Sequence, residues 1–329
     1  MRSALLLSAV LALALINPSQ ATSAPEVWPG ETMADLCGSN YTDYEFASDF
    51  YGPLQFLEIP DVVVAYYRFG NASTDLPPVV LIMGFSGTMK NWPITMLVDL
   101  AEDREVILFD NRGQGFSKDT SPEVPLSIAS MANDTKNFVE ALDLARPPHL
   151  FGWSMGGMIT LQAAAVYGDS FDRFAVFSGS AGSLRSQLPS PEIMAEFKGA
   201  IPVSDVERLS SLFPLNTTDG AEAACRYARD LQYSPDDPEN KQGTKKQLVA
   251  LTDFYFDDST IDALVDTERH ILVIGGLLDI VVPAQNQKLV GQVLPSAWMA
   301  IFQDSSHATF FQHWGTIREL LEVFLQREE

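Results

Sequence analysis

The feature that most limits what this chain can fold into is a series of short, unbroken apolar runs. They are VVVAYYRF (62–69), PPVVLIMG (77–84), EVILFD (105–110), PHLFGWS (148–154), FDRFAVFSGS (171–180), HILVIGG (270–276) and AWMAIFQ (297–303). A strand with one face in water alternates apolar and polar residues; a strand covered on both faces does not. These runs therefore predict a parallel sheet with helices packed on both sides. Segments of helical periodicity lie at 94–103, 127–144 and 158–168, and another at 316–326 closes the chain. The alternation predicts a doubly wound, mostly parallel α/β sheet.

The rhythm breaks between about Ser183 and Thr260. No good strand run occurs there, and short helical segments are punctuated by Pro189, Pro202, Pro214, Pro235 and Pro238. The expected organisation is a core over 55–182 and 261–329 with a helical cap inserted over 183–260. An N-terminal segment over 22–54 precedes it. Residues 1–21 read as a signal peptide, with a basic start and an apolar run, ALLLSAVLALALI, of 13 residues. That run is too short to span a bilayer comfortably. Cleavage after Ala21 is favoured over Ala24, which would leave Pro25 beside the cut. The expected location is outside the cell or in the lumen of the secretory pathway, with no stable membrane insertion after cleavage. In that compartment Asn40, Asn71, Asn133 and Asn216, each in an Asn-x-Ser/Thr triplet, become N-glycosylation candidates. The two cysteines, Cys37 and Cys225, suit an oxidising environment, but sequence leaves their pairing open.

Charge narrows the partners. With 21 basic and 43 acidic residues, the formal net charge is 21 − 43 = −22. An acidic surface repels phosphate backbones and anionic headgroups, so nucleic acid is not an expected partner. No Cys-x-x-Cys or His-Glu-x-x-His spacing suggests a metal. DNRGQGFS (110–117) is glycine-rich but lacks the Gly-Lys-Ser/Thr ending of a phosphate loop, and no full Gly-x-Gly-x-x-Gly occurs. It is expected instead to form a turn beneath a neighbouring loop, with Asp110 and Arg112 bonded internally. No cofactor is expected, and the expected partner is a small molecule. Oligomeric state has no sequence signal.

One constellation carries chemistry. Gly152-Trp153-Ser154-Met155-Gly156 ends a buried-strand run and opens a helix, so its serine sits on a sharp turn flanked by glycines that let strand and helix approach. A serine hydroxyl needs a base. Of the four histidines, His149 and His270 each begin a strand, and His313 lies in the aromatic stretch FFQHWG. His307, in QDSSHATFF, lies in a polar break between the last strand and last helix, where reactive groups concentrate. The base needs a carboxylate to fix its tautomer. Asp279, after ILVIGGLL, occupies a post-strand loop. The strand ending at Ser178-Gly179-Ser180 carries no acid at its tip, and Asp304 is expected only to shape the His307 loop. An oxyanion needs two backbone N–H donors. Met155, next after the serine, is one; Phe85 in MGFSGT is the better candidate for the other, and Ser86 the second.

Together, MGFSGT, DNRGQGFS, GWSMGG, GGLLDIVVP and SSHATFF resemble, in content and order, the α/β-hydrolase superfamily, in its lidded esterase, haloperoxidase and epoxide-hydrolase-like branch. The resemblance covers about residues 55–182 and 261–329. It implies a Ser154, Asp279, His307 triad and a serine hydrolase cleaving carboxylic esters or related acyl compounds. Thioesterase, C–C hydrolase, aminopeptidase and perhydrolase activities use the same apparatus, and a non-catalytic ligand binder on the same fold is the alternative from another class. Serine at the elbow argues against epoxide hydrolase and dehalogenase chemistry. Met83-Gly84 departs from the His-Gly many relatives carry. Trp92, Trp153, Met155, Met158, Phe213 and Tyr227 are candidates for an apolar acyl pocket.

Overall fold

The computed structural model describes residues 32–38, 50–182, 186–232, 240–266 and 269–326. The expected signal peptide and the Asn40 triplet lie outside the described residues.

The strands are β1 (Gln55–Ile59), β2 (Val62–Gly70), β3 (Val79–Ile82), β4 (Glu105–Phe109), β5 (Lys118–Asp119), β6 (His149–Trp153), β7 (Phe174–Phe177), β8 (Ile271–Gly276) and β9 (Trp298–Phe302). They form one nine-stranded sheet in the order β1-β2-β4-β3-β6-β7-β8-β9, with β5 paired to β2. From β4 through β9 every pairing is parallel, and β1, β2 and β5 add antiparallel pairings at one side. The helices are α1 (Met33–Cys37), α2 (Ile94–Asp103), α3 (Ile128–Ala141), α4 (Met155–Tyr167), α5 (Pro191–Phe197), α6 (Asp205–Leu212), α7 (Thr218–Gln232), α8 (Lys241–Thr252), α9 (Asp258–Asp266), α10 (Ala284–Val293), α11 (Thr309–Gln312) and α12 (Trp314–Gln326).

The unbroken apolar runs have the predicted cause. In β3, Val80 and Ile82 join one buried cluster with α3 and α4, while Val79 and Leu81 join another with α2 and α12. In β4, Ile107 and Phe109 face the first cluster and Val106 and Leu108 the second. Each strand thus buries both sets of side chains, and neither set can be polar. The strand order reverses at β3, with β4 on one side and β6 on the other. At such a switch point the connections leave in opposite directions and open a crevice beyond the carboxyl ends of the strands.

Helices α5 to α9 all lie between β7 and β8. Helix α9 packs on α4, and the expected resumption of the core at residue 261 falls inside it. The 110–117 turn is bonded as expected. Asp110 accepts the N–H groups of Met89 (2.8 Å) and Phe116 (2.9 Å), and Arg112 Nε donates to Asp134 Oδ2 at 2.8 Å.

Cys37 and Cys225 pair, their Cα atoms 5.5 Å apart and 188 residues apart in sequence, which ties α1 to α7. A cross-link over so long a loop removes much of the freedom of the unfolded chain. Replacing both cysteines by serine should lower the unfolding free energy by about 2–5 kcal/mol. Urea denaturation without reductant measures this; an unchanged midpoint would contradict it.

Candidate active site

The site forms at the carboxyl ends of four parallel strands. Gly84 and Phe85 follow β3, Ser154 follows β6, Asp279 follows β8 and His307 follows β9. Ser154 caps α4 with φ 59° and ψ −119°, a left-handed conformation that disfavours a residue with a side chain. Packing enforces it. A side chain at Gly156 would strike the carbonyl of Ile82, and one at Gly152 would strike the carbonyl of Gly156. With hydrogens there, α4 lies against β3 and β6, and the chain must reverse at Ser154. The Ser154 N–H is held by the Phe177 carbonyl at 2.8 Å.

His307 and Asp279 are brought together. His307 Nδ1 lies 2.8 Å from Asp279 Oδ2, and both residues are buried. The other carboxylate oxygen, Oδ1, accepts the N–H groups of Val281 (2.9 Å) and Val282 (2.8 Å). Asp279 is thus fixed by its own loop and presents one oxygen to the imidazole. The His307 carbonyl accepts from Trp153 Nε1 (3.1 Å) and Ser178 Oγ (2.8 Å), which anchors the backbone beneath the ring. Ser154 and His307 line the same cavity, and the Ser154 hydroxyl makes no hydrogen bond among the described residues.

The other histidines lie elsewhere. His149 and His270 sit at the amino ends of β6 and β8, the opposite edge of the sheet. His149 is buried, 3.2 Å from Asp172, and burial pushes its pKa down. His313 pairs with Asp304 at 3.0 Å and stacks on Phe302, so Asp304 does shape the loop after β9.

Three N–H groups come near the serine from two directions. The Phe85 and Met155 N–H groups donate to no acceptor among the described residues. Ser86 is different: its N–H donates to Gln247 Oε1 at 2.8 Å, which removes the second-ranked donor from consideration. A Cβ on Gly84 would lie 2.9 Å from Ser154 Cβ, so the loop after β3 passes directly beside the serine. The Met83 carbonyl accepts from Asn111 Nδ2 at 2.8 Å, a bond any residue could make.

The cavity measures about 880 Å³ and lies between these loops and helices α5 to α8. Trp153 and Tyr227 line it, as expected; Trp92 and Phe213 do not. Trp92 packs at 5.5 Å on Phe310 and Phe213 at 5.9 Å on Phe311. Those two phenylalanines come three and four residues after His307, so the rings form the floor under the His307 loop rather than a pocket wall. Met155 and Met158 are likewise buried in the core cluster of α4. The walls the sequence did not reveal are Met33, Phe197, Leu209, Leu212 and Leu231, with Glu196 and Arg208 as charged members. Burial pushes the Glu196 carboxyl up, and burial raises the Tyr227 phenol. No group of acidic, histidine or cysteine residues among the described residues could hold a metal ion.

Comparison with known proteins gives three findings. The family model described as alpha/beta hydrolase fold matches residues 77–313. A pimeloyl-[acyl-carrier protein] methyl ester esterase of Aeromonas hydrophila subsp. hydrophila is 26% identical over 268 residues, covering 80% of this chain and 99% of the relative. Among solved structures, an alpha/beta hydrolase fold protein from Chitinophaga pinensis superposes with a TM-score of 0.72 at 23% identity, covering 84% of this chain and 98% of that one. The enol-lactonase from Burkholderia xenovorans LB400 does so with a TM-score of 0.67 at 19% identity, over 83% and 100% of the two chains.

The Asp279–His307 contact makes a prediction about protons. A carboxylate can only accept, so a carboxylate facing Nδ1 at 2.8 Å predicts the His307 proton on Nδ1. In Asp279→Asn the amide oxygen can still serve Val281 and Val282, but its NH₂ faces Nδ1 and drives the proton to Nε2. Nitrogen-15 shifts of His307 should report that reversal in a folded protein; identical tautomers in both forms would contradict it.

Proposed function

The chain belongs to the alpha/beta hydrolase fold family, and we propose that it is a serine hydrolase cleaving carboxylic esters or related acyl compounds. The observation that carries this reading is the pairing of a fixed Asp279–His307 couple with Ser154 on a strained turn, in one cavity. The Aeromonas relative is named for a methyl ester and the Burkholderia structure for an enol-lactone, both carboxylic esters, which agrees with it.

In this reading substrate enters the cavity and its carbonyl carbon meets Ser154 Oγ. The Oγ–H proton passes to His307 Nε2 as the Oγ–C bond forms. Asp279 holds the imidazole in the tautomer whose Nε2 is free, and offsets its positive charge once protonated. The carbonyl oxygen becomes an oxyanion and accepts the N–H groups of Phe85 and Met155, each worth ~10²–10³ in rate. Collapse breaks the ester C–O bond, and His307 returns its proton to the departing alcohol. Water then attacks the acyl-serine with His307 again as base, releasing the acid and restoring the Ser154 hydroxyl. In this reading the Ser154–His307 hydrogen bond forms with substrate in place, as is common for catalytic pairs that stand apart without ligand. The walls mix apolar side chains with the charged Glu196, Asp205 and Arg208, which suits an acyl compound with both apolar and polar parts, and the volume fits a small molecule.

A secreted location is part of the proposal. The Cys37–Cys225 bond suits an oxidising compartment. Of the described triplets, Asn216 is exposed and Asn71 half-buried at the end of β2, so both are open to glycosylation in that reading. Asn133 sits within α3, half-buried, with its Oδ1 accepting from Tyr167 Oη at 3.2 Å, which disfavours it.

An ester panel of graded acyl length tests the proposal. Wild type should turn over at least one p-nitrophenyl ester and label with a fluorophosphonate. Ser154→Ala should lose both while keeping its fold, and Asp279→Asn should lose about 10⁴ in kcat. Undiminished hydrolysis by Ser154→Ala would remove Ser154 from the role. A folded wild type that neither labels nor hydrolyses would favour a ligand binder on the same scaffold.

A further inference from the structure

Helix α8 carries a side chain into the loop beside Ser154 from outside the sheet. Asn240, Gly243, Thr244 and Gln247 recur at helical spacing and face one way. Asn240 Nδ2 donates to the Gly115 carbonyl at 2.7 Å, and Gln114 Nε2 reaches Thr244 Oγ1 at 3.4 Å. A side chain at Gly243 would strike the Gly113 carbonyl, so helix and turn meet backbone to backbone. Lys246 Nζ pairs with Asp119 at 2.5 Å and donates to the Pro122 carbonyl at 3.1 Å. These contacts fix where the fourth residue of the stripe ends up. Gln247 is 0% exposed and its Oε1 takes the Ser86 N–H.

The rest of the loop after β3 is held by the core. Asn111 grips the Met83 carbonyl, Asn91 Oδ1 takes the Thr88 N–H at 2.7 Å, and Asp110 takes the Met89 N–H. The middle peptide, between Phe85 and Ser86, lies inside a turn closed by the Gly87 N–H on the Gly84 carbonyl at 3.3 Å, and the bond to its own N–H comes from α8. That peptide leads into a residue at φ 56°, a conformation a serine holds only when its surroundings over-determine it. Two consecutive N–H groups, of Phe85 and Ser86, could turn toward the cavity, and Gln247 occupies one of them.

We propose that Gln247 is a positioning residue of the reaction: by binding the Ser86 N–H it commits the Phe85 N–H to the oxyanion. It touches neither substrate nor reacting atoms. The inference rests on the serine hydrolase reading. It predicts an effect on the transition state rather than on substrate binding, because the oxyanion exists only after attack.

The test compares wild type, Gln247→Leu and Gln247→Glu with p-nitrophenyl acetate, with kcat expressed per fluorophosphonate-titrated site. Leucine keeps the bulk and removes the acceptor, and kcat should fall about 10- to 100-fold, with KM within about 2-fold. Glutamate keeps an acceptor oxygen in either ionisation state and should recover most of the loss. A purely structural residue would instead lower the number of titratable sites and leave kcat per site unchanged. The second measurement needs no variant: the Ser86 amide of wild type should exchange its hydrogen slowly. Undiminished kcat per site in Gln247→Leu, a loss confined to KM, or Ser86 exchange at the rate of an open loop would each overturn the role of Gln247. Absence of wild-type turnover on every ester would overturn the serine hydrolase reading itself, and this one with it.

Discussion

The structure depends first on a close approach between one helix and two strand ends. Gly156 lies against the Ile82 carbonyl of β3, and Gly152 lies against the Gly156 carbonyl. A methyl group at either place would push α4 off the sheet. Because α4 sits that close, β6 has no room to run on, and the chain reverses within a single residue. That residue is Ser154, and the cost of its left-handed conformation, about 1–3 kcal/mol for a residue of this kind, is offset by the burial of α4. Helix α4 is apolar on nearly every face and packs against α3, α9 and the sheet. The same approach brings the loop after β3 beside the serine. One packing constraint thus sets both the hydroxyl and the N–H groups around it.

The opposite side of the site is built by a different device. The loops after β8 and β9 are knitted to each other before they reach His307. Leu277 and Leu278 donate to the carbonyls of Phe302 (2.8 Å) and Ser305 (2.9 Å), and a side chain at Gly276 would strike the Ser305 and Ser306 carbonyls. Asp279 then satisfies two N–H groups of its own turn. A buried carboxylate with those partners is held in place by its own turn, independently of His307. The Phe310 and Phe311 rings, with Trp92, Trp153 and Phe213, fill the space beneath.

Much of this was legible in the sequence because the sheet is covered on both faces. Burial of both sides forces unbroken apolar runs in β3, β4, β6, β7 and β8, and each of the seven runs coincides with a strand, although β9 at the sheet edge has no buried residue. Strands β1 and β5 were not legible: β1 alternates half-buried and exposed residues at the sheet edge, and β5 is only two residues long. The residues after the strand ends were legible for a related reason, since a polar break following an apolar run at a strand tip marks a loop over the crevice. His307 stands in such a break, whereas Ser154 was legible from the glycines two residues to either side of it and Asp279 from its place in the loop after a buried-strand run. Trp92 and Phe213 read as pocket residues because aromatic residues line pockets and fill cores alike. Which of the two a ring does depends on Phe310 and Phe311, and no local pattern connects those positions. Gln247 left no trace, because its partner is a backbone N–H 161 residues away, and backbone groups have no letter in the sequence.

The inserted helices are therefore not a detachable roof. Helices α5, α6 and α7 supply cavity walls, while α8 adds Thr244 to the wall and reaches past it with Gln247 to the loop after β3. These helices are anchored separately: α7 is tied to α1 through the disulfide, Asp230 on α7 accepts the N–H of Ile94 at the start of α2 at 3.1 Å, and α8 is pinned to the 110–117 turn. A change in the walls that shifted α8 by a fraction of an ångström would reach the Ser86 bond, because hydrogen bonds weaken steeply as they lengthen and bend. If Gln247 positions the loop as proposed, substrate choice and transition-state stabilisation are coupled through one glutamine. Exchanging these helices for those of another relative would change specificity and rate together, unless the incoming helix also presented an acceptor to the Ser86 N–H.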